Sequence, residues 1–167
     1  RLARALGLTG AQTFMAYNAP RGEGAHPSLR YPVTFRTPVG GWRVDPALAF
    51  AHALQESNFR ESVVSPAGAI GLMQIMPITQ REYAASINMS SGADLKDPAV
   101  NLAFGQRTLE SLNSSSFTQG KLPKIMAAYN AGPTPVSRWE YEIRDQGDPL
   151  LYMESIPYWE TRGYVAI

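Results

Sequence analysis

Apolar positions recur along the chain at helical spacing in short blocks, and the same punctuation opens three of them. Asp45-Pro46, Asp97-Pro98 and Asp148-Pro149 each set a side chain able to cap free N–H groups before a proline whose φ suits a first helical turn. In the first block, VDPALAFAHALQESNF, Ala47, Phe50, Ala51 and Leu54 share one face and Ala49 and Ala53 lie opposite, with no charge between Asp45 and Glu56. A segment apolar on all sides is expected to be a buried helix, closed here by Glu56. The second block, residues 98–112, directs Leu102, Leu109 and Leu112 to a core and turns Gln106, Arg107 and Glu110 outward. A third, residues 122–130, runs into Ala131-Gly132-Pro133, the glycine-then-proline stop of a helix C-terminus. Shorter helical pieces are expected over residues 136–143 and 150–154, with a last helix after Pro157.

Ahead of these blocks the pattern weakens. Residues 1–18 have modest helical character, carried by Leu2, Leu6, Phe14 and Tyr17. Residues 20–41 are crowded with proline and glycine, which interrupt regular structure, and residues 31–35 read as a short extended segment. We therefore expect a boundary near residue 30, with 1–30 a linker or the tail of a preceding domain and 31–167 the main folded domain. The chain opens on Arg1 with neither an initiator Met nor the charged and apolar regions of a signal peptide, and reads as a piece of something longer.

Composition narrows the function by exclusion. Of 167 residues, 44% are hydrophobic and 17% charged, at a formal net charge of +1. This suits a folded domain and lacks the basic footprint of a nucleic-acid binder. No run reaches the roughly 18–20 apolar residues of a membrane-spanning helix. The absence of cysteine removes thiolate chemistry and the usual structural zinc sites. His26 and His52 are too far apart in sequence to suggest a metal centre, so neither metal nor cofactor is expected. Phosphate-binding loops, nucleophile elbows and His-Glu-x-x-His are missing as well.

What remains is carboxylate chemistry. A carboxyl closing an apolar helix, as Glu56 does, is poorly hydrated, and desolvation favours its protonated form. A carboxylic acid that keeps its proton near neutral pH can give it to a leaving oxygen. The plainer alternative is a side chain that simply reaches solvent as its helix leaves the core. In SPAGAIGLMQIMP, residues 65–77, Gly68 and Gly71 permit tight turns or close approach of a ligand. There Gln74 offers both donor and acceptor between the adaptable apolar Met73 and Met76. Such a surface suits a sugar, with apolar ring faces and hydroxyl edges. It also suits a loop whose Leu72, Ile75 and Met76 fill a core.

Four motifs in order, Glu56-Ser57, GLMQIMP at 71–77, AYNAG at 128–132 and ESIPYWETRGYV at 154–165, resemble the soluble lytic transglycosylases. The likeness is greatest to the family whose catalytic domain follows a helical superstructure, and runs from about residue 31 to the end. The resemblance implies a mainly α, lysozyme-like α+β domain with most residues in helices and at most a small β element. It implies cleavage of the MurNAc-GlcNAc β-1,4 bond of peptidoglycan, without a cofactor, in the periplasm or cell envelope. Glu56 would be the single acid and then base, with Ser57 supporting local structure. Ser65 would lie beside the sugar cleft, Gln74 and Met76 would line it, Tyr129 and Asn130 would flank the catalytic carboxyl, and Glu154 would stand on the cleft wall. Glycan strands are the implied partner; envelope proteins are left open.

Two other readings stay open. A lysozyme-type muramidase would hydrolyse the same bond with a second carboxylate, for which Glu61, Asp94 and Asp97 are candidates. A non-catalytic glycan-binding module would bind without cleaving. Arg138 and Arg162 read as solvated cations rather than contacts to acidic stem peptides. Trp139 and Trp159 read as packing residues rather than sugar platforms. One departure stands out: members of the family often carry a charge shortly before the catalytic Glu, whereas here His52, Ala53, Leu54 and Gln55 precede it.

Overall fold

A computed structural model describes residues 37–166 and, before them, Leu6, Leu8, Ala11, Phe14 and Met15. The expected extended segment at 31–35 and most of the expected helix at 1–18 lie outside the described residues; within the latter, Ala11, Phe14 and Met15 are helical. The elements are α1 (Pro46–Ser57), α2 (Pro77–Tyr83), a 3₁₀ turn (Ala85–Ile87), α3 (Pro98–Asn113), α4 (Leu122–Ala131), α5 (Pro133–Glu142), α6 (Pro149–Ser155) and α7 (Trp159–Val165). Among the described residues the β content is two isolated bridges, Val64 with Ile70 and Ile70 with Ile75. The fold is thus mainly helical with a minimal β element.

All three Asp-Pro starts act as caps. Asp45 accepts from Ala47 N at 2.8 Å, Asp97 from Ala99 N at 2.8 Å, and Asp148 from Leu150 N at 2.8 Å and Leu151 N at 3.2 Å. Each bond satisfies an N–H that the helix itself leaves unpaired. Helix α2 and the 3₁₀ turn have no such signal in the sequence. Met76 caps α2 without a side-chain bond, and Pro77 alone marks its start.

By its own contacts the chain divides into two units, Arg1–Gln106 and Arg107–Ile167. In the first, the buried side of α1 is Ala49, His52, Ala53 and Ser57. The expectation of a helix buried all round is corrected: Ala47 and Ala51 are exposed, and Phe50 and Leu54 only half-buried. Alanine has little apolar area to remove from water, so exposing it costs little, and its pattern does not identify the inner face. The outward reading of Gln106 is corrected too. It is fully buried, accepting from Arg43 N at 2.9 Å and donating to Gly41 O at 2.9 Å. A buried amide with both ends bonded pins the 41–43 segment to α3 at little desolvation cost.

In the second unit α4 packs against α5, α6 and α7, and α6 against α7. Trp139 is fully buried and meets Tyr158 edge-to-face, with centroids 5.0 Å apart. Lys124, nearly buried, is ion-paired with Glu140, which also accepts from Gln119 Nε2 at 2.6 Å. The Lys124 ammonium lies 5.4 Å from the centre of the Tyr152 ring. Burial, then the charges of Glu140 and Asp145, push the Tyr152 hydroxyl up to about 12.

Candidate active site

Glu56 occupies the last turn of α1, one turn beyond His52 on the edge of the buried face, and is half-buried. The helix stops abruptly behind it. Asn58 takes a left-handed conformation, φ 50° and ψ 44°, and Phe59 follows at φ 60°. Their N–H groups return to Leu54 O at 2.9 Å and Ala53 O at 3.2 Å, so two carbonyls of the last turn are satisfied from just beyond the helix. Two consecutive non-glycine residues with positive φ are strained, at about 1–3 kcal/mol each. The burial of Phe59, 1% exposed, offsets that. Ser57 is buried and donates to Ala53 O at 3.0 Å, so the residue after Glu56 supports the helix end as the resemblance implied. The position of Glu56 is fixed by its neighbours on both sides.

Residues 63–76 form the second part. Ile70 exchanges two backbone bonds of 3.0 Å with Ile75, and Gly71 N donates to Val63 O at 2.9 Å. Ser65 N meets Ala69 O at 2.9 Å, while Ser65 Oγ accepts from Ala69 N at 3.0 Å, closing the loop around Gly68. Within this pairing Gly71 to Gln74 make a tight turn, Gln74 N to Gly71 O being 3.2 Å. Gln74 itself has φ 47°, and its amide nitrogen bonds Gly71 O at 2.8 Å and Val63 O at 3.4 Å. Ser65, Gln74 and Met76 are half-buried, and the segment around Ile70 is bridged to Val64 on one side and to Ile75 on the other.

Tyr129, Asn130 and Glu154 belong to the second unit. Tyr129 and Asn130 sit in the last turn of α4, both half-buried, and Asn130 Oδ1 accepts from the buried Thr161 hydroxyl on α7 at 2.7 Å. Glu154 is exposed in the last turn of α6. A cavity of about 260 Å³ between the start of α4 and the start of α6 is lined by residues including Leu122, Pro123, Lys124 and Tyr152, and by none of the expected site residues. Two side readings need correcting. Arg162 is half-buried and donates to Ile156 O at 2.8 Å through Nη2, tying α7 to the ESIP segment instead of standing in solvent. Trp159 is 83% exposed rather than a packing residue. Its helix position puts Gly163 one turn away, with no side chain to cover the ring.

Sequence reading did not single out Asn101, which organises the 70–73 segment. Fully buried on α3, it donates to Ile70 O and Leu95 O at 2.8 Å each and accepts from Met73 N at 2.8 Å. Two of its three partners, Ile70 and Met73, are distant in sequence, so no local pattern marks it. Among the described residues there is no cluster of three metal-capable side chains and no helix long and apolar enough to cross a membrane.

Comparison with known proteins gives this arrangement a context. Residues 35–150 match the family model described as the transglycosylase SLT domain. The chain is 37% identical over 140 residues to the soluble lytic murein transglycosylase of Escherichia coli K12, which covers 82% of this chain and 21% of that protein. It superposes on a 70 kDa soluble lytic transglycosylase in complex with bulgecin A with a TM-score of 0.81 and 31% identity, covering 99% of this chain and 27% of the other. An inactive mutant of the lytic transglycosylase Slt from Pseudomonas aeruginosa matches with a TM-score of 0.77 and 29% identity, over the same shares. The chain therefore spans about a fifth to a quarter of the length of these relatives. With a family model over more than half its residues and structural neighbours along nearly all of them, this chain belongs to the transglycosylase SLT domain family.

Proposed function

We propose that the chain is the catalytic domain of a peptidoglycan lytic transglycosylase working in the periplasm or cell envelope. The catalytic domain is assigned to residues 31–167, and residues 1–30 to a linker or preceding tail. The observation that carries the reading is Glu56, half-buried at the locked end of α1, in a chain of this family.

Glu56 acts first as an acid, protonating the glycosidic oxygen between MurNAc and GlcNAc. An acid in this role must hold its proton until the leaving oxygen takes it. The acetamido group of the substrate stabilises the cationic centre. Glu56, now a base, takes the proton from the MurNAc C6 hydroxyl, whose oxygen closes a 1,6-anhydro ring. An internal nucleophile competes with water through its high effective molarity. Ser65, Gln74, Met76, Tyr129, Asn130 and Glu154 are assigned to substrate binding.

Digestion of purified peptidoglycan followed by mass spectrometry tests this. The expected products carry anhydro ends, lighter by one water than hydrolysed ends. Glu56→Gln is expected to keep the fold and lower the rate by about 10²–10⁴-fold, the usual contribution of a positioned acid or base. Hydrated ends would instead indicate a muramidase, and binding without product a non-catalytic module.

A further inference from the structure

The Gly71–Gln74 turn is gripped from one side by α3. Asn101 is bonded there at both ends of its amide, with both hydrogens on Ile70 O and Leu95 O and its oxygen on Met73 N, each at 2.8 Å. No other side chain of that length supplies two donors and an acceptor: Asp lacks the donors and Leu lacks both. The contact is close enough that a Cβ on Gly71 would collide with Asn101 Nδ2 and Leu95 O. One helical turn along α3, Gly105 leaves the space occupied by the Met73 thioether, which a Cβ there would strike. Asn101 and Gly105 thus form a peg and a notch on one face of α3, shaped to a turn that ends in the strained Gln74, φ 47°.

We propose that Asn101 is a positioning residue for the transglycosylase reaction, acting through this turn to hold Gln74 and Met76 in their binding arrangement; the inference rests on the function proposed above. Nothing in the geometry requires Asn101 to touch substrate. Its removal leaves Gln74 chemically intact but free to relax from its left-handed conformation.

A double-mutant cycle tests this. The kcat and KM for release of anhydro products from glycan strands are measured for Gln74→Ala, Asn101→Ala and the double variant. Leu109→Ala, a buried position further along α3, serves as a matched loss of stability. Every assay runs at a temperature where circular dichroism shows the protein folded. Each single variant is expected to lose about ten- to a hundredfold in kcat/KM, as small misplacements do, chiefly through KM. The double variant is expected to fall within about twofold of the worse single variant, since the two residues act in series. Leu109→Ala is expected to remain within about threefold of the unmodified chain, as a residue whose removal creates only a cavity. Independent, multiplying losses overturn the proposal, as does a Leu109→Ala loss equal to that of Asn101→Ala. Should Asn101→Ala not accumulate as folded protein, Asn101→Ser, which keeps a small polar group in the space and adds no charge, carries the same cycle. An unmodified chain that releases no anhydro product overturns the proposed function and this inference with it; an active chain with multiplying losses overturns the inference alone.

Discussion

Glycine earns its place at position 71 twice over, by conformation and by space. Its φ is 78°, and the volume a side chain would need is taken by Asn101 and Leu95. Gly68 has φ 87° with nothing nearby, so the two separate the effects. Gly68→Ala is expected to cost about 1–2 kcal/mol, the backbone penalty alone. Gly71→Ala should cost at least about 3 kcal/mol, because backbone or core must also move; urea denaturation of the pair checks this. The Lys124–Glu140 pair gives a second comparison. Lys124 has 6% of its side chain exposed and Glu140 20%. Truncating Glu140→Ala strands a buried ammonium and is expected to cost about 3–5 kcal/mol, most of it regained in Lys124→Met/Glu140→Leu. Thermal melts of the single and double variants would show it. Sequence offered no hint of this pair, since a lysine in a helix reads as surface.

Helix α1 carries a pH dependence in its inner face. Burial lowers the His52 pKa from 6.5 to about 4, so the folded state holds it neutral while the unfolded chain binds a proton below 6.5. Stability from this group is complete above pH 6.5 and is lost as pH falls towards 4. The loss amounts to roughly 3 kcal/mol at about 1.4 kcal/mol per pH unit. Denaturant midpoints between pH 7.5 and 4 should fall more steeply for the unmodified chain than for His52→Leu; equal slopes would count against it. The elements themselves were largely legible. The Asp-Pro starts of α1, α3 and α6 and the Gly132 stop of α4 are local devices whose whole mechanism lies within four residues. What was illegible depended on distant partners: which alanines of α1 face inward, and why Gln106 is buried. Helix α2 was missed because proline alone opens it.

For the molecule as a whole, the chain spans about a fifth of its curated relative, and the family match starts at residue 35. If residues 1–30 are a tail, a chain beginning at Tyr31 should release anhydro products at a rate within about threefold of the full sequence, the spread expected when no contact to the reaction is removed. Mass analysis of matched digests would decide it. Glu56 and Gln74 could be picked out because each sits in a short motif with its own chemical logic. Asn101 could not, since its bonds reach back 28 and 31 residues to Met73 and Ile70 and its own neighbourhood is an ordinary helix.

Gln74 has one more consequence. With its amide nitrogen committed to Gly71 O and Val63 O, what Gln74 has left to offer a ligand is its carbonyl oxygen: a visiting group must bring its own hydrogen. Replacing the sugar hydroxyl that lands there by fluorine, or an acetamide N–H by an ester oxygen, would silence the contact with little change in size and none in charge. A panel of such analogues would therefore map which edge of the ligand meets this residue.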